Sequence, residues 1–326
     1  MKVFIVGGTG FIGYYSTLEL LKRGHEVSTI SLPDIEIGKW FPKEVEIKYG
    51  NVFEMGDDAL KELFVGFDAM VYAVGPDDRF KPKGSAYDFF HERLVEACGR
   101  VVAVAREAVV DKCVVTNSYF AYFDRVEPER KLAEHHAYIK CRVEQAERVI
   151  SEGKDKMDVM VLELPYIFGS MPERTPLWKD VLVNMLHESE IIFYPKGGSN
   201  MIAVEHVAEA VAGAVEKGKQ GRRYQIGDVN LSWVSMIKIM LKSMGMGNKK
   251  IITLPTFLVN MQGKKIKKQE DEQGVESGLN PLYLFKDIMC QELYFNPTES
   301  ADELGYSRGG IEKSIDDTVK ACLKNL

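Results

Sequence analysis

The sequence predicts an α/β protein: a doubly wound parallel sheet with helices on both faces, joined to a smaller, mostly helical C-terminal region. Three observations carry this. The chain opens on a short, continuously apolar run, residues 3–6, and passes at once into Gly7, Gly8, Thr9, Gly10 and Gly13 ahead of a helical pattern over 11–23. Apolar runs of strand length then alternate with helical stretches as far as Pro165, as in parallel sheets buried on both faces. Beyond Pro165 that rhythm stops and helical signals dominate.

The opening run is too continuous for a half-exposed strand, so it reads as a buried one. Gly8, Gly10 and Gly13 satisfy the G-x-G-x-x-G spacing between a strand and a helix. There the glycines permit the tight turn, let the backbone approach a pyrophosphate and pack helix against strand. The N–H groups at the helix start have no intrahelical partners, and the helix dipole favours an anion beside them. The expected ligand is therefore a dinucleotide on a Rossmann-type fold, with Gly7, Thr9, Gly10, Phe11, Ile12 and Gly13 at its phosphates.

A second strand is expected over 26–31. Its end is where such folds hold the adenosine ribose, usually through a carboxylate about 20 residues past the glycines. This chain has Ser31 there, which binds a hydroxyl without repelling a 2′-phosphate, and no arginine follows. NAD and NADP both stay open. Strands are expected at 45–49, 67–75, 112–116 and 158–164, and helices at 57–64, 87–108 and 133–150. Residues 76–84 read as a loop. After the Pro-bearing loop 169–178 come a helix at 179–187, an extended stretch at 191–194, a turn at Gly197 and Gly198, a helix at 204–217 and a short strand at 223–226. The remainder is largely helical, with an extended stretch at 250–254 and a terminal helix over 311–326. The expected division is a dinucleotide-binding domain over 1–165, with return segments near 200–228, and a substrate domain occupying mainly 166–326.

Composition narrows the function classes. At 326 residues and 45% hydrophobic the chain can bury a large core. A net charge of −6 offers no basic surface for a phosphate backbone, so nucleic acid is not an expected partner. No eighteen-residue apolar run suggests a membrane span, and no signal-peptide pattern precedes the first strand, so a cytoplasmic location is expected. The five cysteines are scattered and form no C-x-x-C pair, and the histidines show no ligand spacing, so no metal site is expected. The basic run Lys264, Lys265, Lys267 and Lys268, followed by Glu270 to Glu272, reads either as a solvated helix face or as a mobile flap over an anionic substrate.

Several motifs recur in an order that resembles the extended short-chain dehydrogenase/reductases, the NAD-dependent epimerase/dehydratase family. They are Gly7-Gly8-Thr9-Gly10-Phe11-Ile12-Gly13, Gly50-Asn51-Val52, Ala73-Val74-Gly75, Val114-Val115-Thr116-Asn117-Ser118, Lys140-Cys141-Arg142-Val143-Glu144-Gln145, Leu164-Pro165-Tyr166-Ile167-Phe168-Gly169 and Ile202-Ala203-Val204-Glu205-His206-Val207-Ala208. The resemblance spans nearly the whole chain. It implies that Asn51 and Val52 lie at the adenine, that Ala73, Val74, Gly75, Pro165 and Ile167 border the cofactor, and that the substrate is a small molecule, in many relatives a nucleotide sugar. A homodimer is expected.

The family's chemistry uses a serine or threonine after the fifth strand and a Y-x-x-x-K on the next helix. The phenol exchanges a proton with the substrate hydroxyl as hydride moves, while the lysine holds the nicotinamide ribose and lowers the phenol's pKa. Ser118 and Lys140 match the serine and the lysine, but His136 stands where tyrosine belongs. Three readings stay open. His136 is the acid/base, since imidazole relays protons near neutrality; or Tyr138 and Arg142 restore the i, i+4 spacing in a shifted register; or the chain binds the dinucleotide as a non-catalytic sensor. Tyr138 cannot share a face with Lys140, because two residues turn a helix by about 200°. Glu163, where relatives often carry arginine, is a further departure.

Overall fold

The computed structural model describes residues 1–324, so the last two residues of the expected terminal helix lie outside it. In chain order the first half comprises β1 (Lys2–Val6), α1 (Phe11–Lys22), β2 (Glu26–Ser31), β3 (Glu46–Tyr49), α2 (Asp57–Phe64), β4 (Ala69–Tyr72), α3 (Ala86–Phe90), α4 (Ala97–Glu107), β5 (Lys112–Ser118), α5 (Phe120–Val126), α6 (Leu132–His135), α7 (Ala137–Gly153) and β6 (Asp158–Leu164). A π-helical turn, His91–Glu96, joins α3 to α4.

The second half comprises β7 (Tyr166–Phe168), α8 (Asn184–Glu188), β8 (Ile191–Pro195), β9 (Gly198–Ala203), α9 (Val204–Lys217), β10 (Arg223–Gln225), β11 (Val229–Ser232), α10 (Trp233–Ser243), β12 (Lys250–Leu254), α11 (Thr256–Gln273), α12 (Pro281–Leu284), β13 (Glu292–Leu293), α13 (Thr298–Leu304) and α14 (Ile311–Leu323).

The large sheet runs β10-β6-β5-β4-β1-β2-β3 with every neighbouring pair parallel. Its central strands are apolar on both sides because each side faces helices. In β1, Val3 and Ile5 enter the core beneath α1 and α9, whereas Phe4 and Val6 enter the opposite core with Leu60 of α2 and Val101 of α4. In β6, Met160 and Leu162 divide from Val159 and Val161 in the same way. That two-sided burial erases polar alternation and leaves the continuous apolar runs seen in the sequence. Strand order reverses between β1 and β4, which opens a crevice at the carboxyl ends of these strands.

Helices do predominate past Pro165, but two smaller sheets stand among them. β9 pairs with β7, β11 and β13, and β8 pairs with β12. The expected turn at Gly198 is instead the first residue of β9. All six residues of that strand are buried, including Ser199 and Asn200. Their side chains find polar partners in Tyr119 and Asn230, so a segment that reads as a polar turn is a central strand.

The expected helix over 133–150 is broken. His136 has extended dihedrals, φ −127° and ψ 111°, and is the residue before the first turn of α7. The one-turn helix α6 before it starts at a left-handed Lys131, φ 54°. His136 and Lys140 are therefore not presented on one continuous helix face.

Candidate active site

The glycine turn lies at the switch point. Gly7 has φ +93°, and a Cβ there would stand 2.4 Å from Val74 Cγ1, so glycine is what lets the loops after β1 and β4 meet. At Gly13 a Cβ would lie 2.0 Å from the Gly7 carbonyl oxygen, which fixes α1 close against the turn. Gly10 precedes α1 in extended conformation, and neither a capping side chain nor an acidic residue occupies the first turn of that helix. This glycine cradle and uncapped helix start fit a dinucleotide pyrophosphate. Thr9 and Ser31 meet through their hydroxyls at 3.1 Å, both nearly buried. Asn51 folds its side chain back on its own loop, accepting from the Phe53 N–H and donating to Glu54, and Val52 is buried beside it. Ala73, Val74 and Gly75 follow β4 on the other flank of the crevice, and Pro165 and Ile167 follow β6.

Ser118 ends β5 with 8% exposure. Its Oγ accepts the Phe120 N–H at 3.3 Å, and its own N–H donates to Asn117 Oδ1. Asn117 also donates to the Arg142 carbonyl and to Gln145 Oε1, each at 2.9 Å, pinning α7 to the end of β5. The aromatic residues after Ser118 are mostly core: Tyr119, Phe120 and Phe123 are at most 4% exposed.

The sequence-matched pair His136 and Lys140 is not brought together. Lys140 points outward, with its side chain 48% exposed, Nζ 4.3 Å above the Tyr87 ring and 4.0 Å from Glu144 Oε1. The ring of His136 is fully buried on another side. Its Nδ1 accepts the Asn280 N–H at 3.0 Å, and Nε2 faces Asp287 Oδ2 at 3.6 Å, beyond hydrogen-bond reach. Burial lowers the His136 pKa, against the opposing pull of Asp287.

The pair that the fold does assemble is Tyr138 and Arg142. Both are nearly buried, and Arg142 Nε donates to the Tyr138 hydroxyl at 2.9 Å. Arg142 Nη1 reaches Gln145 Oε1 at 2.8 Å and the Thr116 carbonyl at 3.5 Å, so its cation sits at the end of β5. Burial raises the Tyr138 pKa, and the Arg142 charge and hydrogen bond work against that rise.

The loop after β4 adds charged groups that the sequence reading left as plain loop. Asp77 pairs with Arg79, and although burial raises its carboxyl, that hydrogen bond leaves the pKa lowered. Asp78 is half-buried, and its pKa is raised by burial. Its charge bears on Tyr119, Tyr138 and Tyr166, three phenols from different segments. Only the i, i+4 spacing of Tyr138 and Arg142 signalled any of these residues in the sequence. Glu163 is fully buried and held by Arg125, Arg223 and Gln225. Among the described residues no group of three or more His, Cys, Asp or Glu side chains could hold a metal ion, and no helix is long and apolar enough to cross a membrane.

Comparison with known proteins agrees with this architecture. Residues 3–227 match the NAD dependent epimerase/dehydratase family, and the chain belongs to that family. Membership carries with it the enzyme class and a nicotinamide dinucleotide, and the glycine turn is where a dinucleotide was expected. A Synechocystis sp. protein provisionally named dihydroflavonol 4-reductase is 19% identical over 330 residues, covering 97% of this chain and 93% of its own. Among solved structures, gox2253 superposes with a TM-score of 0.81 at 16% identity, over 99% of this chain and 98% of its own. A nucleoside-diphosphate-sugar epimerase from Pseudomonas aeruginosa superposes with a TM-score of 0.73 at 14% identity, over 100% of this chain and 98% of its own. At those identities the likeness is one of fold.

Proposed function

We propose that this chain is an NAD(P)-dependent epimerase, dehydratase or reductase that works by hydride transfer at a hydroxyl- or carbonyl-bearing carbon, with Tyr138 exchanging the proton. One observation carries the reading: the Tyr138 hydroxyl accepts a charged hydrogen bond from Arg142 at the carboxyl end of β5. A buried phenol is a poor base at neutral pH, because burial disfavours its anion. A guanidinium one turn away offsets this, since it stays protonated and its charge stabilises phenolate. Arg142 thus takes the electrostatic part that a lysine plays in relatives.

The remaining roles follow from placement. Gly7, Thr9, Gly10, Phe11, Ile12 and Gly13 would hold the pyrophosphate, Ser31, Asn51 and Val52 the adenosine end, and Ala73, Val74, Gly75, Pro165 and Ile167 the nicotinamide end. The bound dinucleotide supplies or accepts the hydride. Ser118, whose Oγ accepts from Phe120, keeps its own hydroxyl proton free to hold a substrate oxygen. His136 and Lys140 touch no reacting atom in this reading. A nucleotide sugar is the substrate class we favour, on the likeness of fold to the sugar-nucleotide epimerase.

The test is to offer purified protein with NAD(H) or NADP(H) a panel of nucleotide sugars and small ketones, following nicotinamide absorbance. Tyr138→Phe should lower turnover by about 10²- to 10⁴-fold, with cofactor affinity little changed. Full turnover in that variant would overturn the assignment.

A further inference from the structure

We infer that His136 is a positioning residue, latching the segment 278–280 of the C-terminal region against the start of α7 and thereby fixing Tyr138. This rests on the reading of Tyr138 given above and extends it to a residue that touches no reacting atom.

Two hydrogen bonds make the latch. The Asn280 N–H donates to His136 Nδ1 at 3.0 Å, and the Tyr138 N–H donates to the Gly278 carbonyl at 2.9 Å. Residue 136 thus faces 280 and residue 138 faces 278, an antiparallel pairing of two short segments 144 residues apart at its outer bond. The Tyr138 N–H belongs to the first turn of α7, where a helix has no internal acceptor. No side chain caps α7 from position 136. The acceptor comes from the distant segment instead, so the start of the tyrosine-bearing helix is completed only when 278–280 is in place.

Close approach is built in. A Cβ on Gly278 would lie 2.8 Å from Tyr138 Cβ and 2.5 Å from Phe90 Cε2, so the segment rests directly on the tyrosine. Because Nδ1 of His136 accepts, its proton is on Nε2, the nitrogen that faces Asp287. Asp287 is gripped in turn by His135 Nδ1 at 2.5 Å, and the His135 ring stacks on Tyr283 at 4.0 Å. His135 and Asp287 are the charged or titratable groups acting on His136, and Arg142, Asp77, Asp78 and Arg79 are those acting on Tyr138. Loosening the latch would let Tyr138 shift against Arg142, whose Nε is its hydroxyl's hydrogen-bond partner.

His136→Ala removes the acceptor, whereas His136→Asn restores an oxygen near the Nδ1 position. In His136→Ala we expect kcat to fall at least about tenfold, with substrate KM and NAD(H) affinity within about threefold. The rise of alcohol oxidation with pH should move to higher pH, because a phenol that loses its guanidinium donor ionises less readily. Amide exchange should quicken at 137–140 and at 278–282. His136→Asn should recover all three. Unchanged exchange in His136→Ala would overturn the latch, and faster exchange with unchanged kcat and pH profile would overturn its role in positioning. Full turnover in Tyr138→Phe would strike the acid/base reading instead, while the exchange result would still decide the latch.

Discussion

Arg142 Nε and the Tyr138 hydroxyl are joined across 2.9 Å, one helical turn apart, while Lys140 between them turns away to rest over the Tyr87 ring. A hydrogen bond from a charged donor is worth about 1.5–3 kcal/mol. Arg142→Ala should therefore lower turnover by roughly 10- to 100-fold, and Arg142→Lys should recover part of it by keeping a cation. Lys140→Ala should stay within about twofold of the parent, since an exposed lysine over a ring contributes little. Steady-state rates across pH decide it, and equal losses at 140 and 142 would count against the register.

The glycine turn can be tested without losing the fold. A Cβ at Gly10 would stand 3.2 Å from the Gly7 carbonyl oxygen with φ at −82°, so a side chain is tolerated with a small adjustment. Gly10→Val should keep the melting temperature within a few degrees and weaken NADH binding by more than about tenfold, since its methyls occupy the approach to the helix start. Gly13→Ala should instead melt early, because its Cβ falls 2.0 Å from the same carbonyl. Fluorescence titration and thermal melts separate the two outcomes.

Cofactor preference should respond at Ser31. Its hydroxyl sits 3.1 Å from that of Thr9 at the end of β2. Ser31→Asp places a carboxylate where a 2′-phosphate would come, and like charges a few ångströms apart repel by about 1–4 kcal/mol in a partly solvated site. The ratio of NADP to NAD dissociation constants should rise by about tenfold or more. If both constants move together, the ribose is held elsewhere.

His206 gives a pH dependence of known sign. Its Nδ1 is 2.8 Å from the Asp228 carboxylate. Burial pulls the His206 pKa down, but the hydrogen bond and charge of Asp228 outweigh it and leave the pKa raised. A raised folded pKa adds stability below the unfolded value of about 6.5, and that stability is lost as pH climbs through the raised value. The difference in unfolding free energy between the parent and His206→Gln should therefore be largest near pH 6 and shrink on the alkaline side, measured by urea titration. A gap that widens with pH would reverse the assignment.

Legibility in the sequence followed physical simplicity. The central strands of the large sheet are buried on both faces, so Val3 to Val6 of β1 and Ala69 to Tyr72 of β4 stand out as apolar runs whatever surrounds them. β9 did not, because Ser199 and Asn200 are satisfied by partners far along the chain. The helix break at His136 is likewise tertiary: the Asn280 N–H and the Gly278 carbonyl that settle it lie more than a hundred residues away. The spacing of Tyr138 and Arg142 was visible from the start, but local matching to Lys140 competed with it. Asp78 carried no local signal, since a loop aspartate gains meaning only from the phenols around it.

The buried carboxylate of Glu163 has a consequence for how the chain is made. It ends up against Arg223, 60 residues further on, in the strand that closes the edge of the large sheet. During synthesis β6 emerges long before β10, so for that interval its open edge is available for pairing with other chains. Until then Glu163 has only Arg125 of α5 to hold its charge, and a carboxylate on the bare edge discourages a hydrophobic strand from settling there. When Arg223 arrives, the same charge turns from a deterrent into a marker of correct closure. Glu163 thus fastens β10 to the edge of the finished sheet through a carboxylate that Arg125 alone had held.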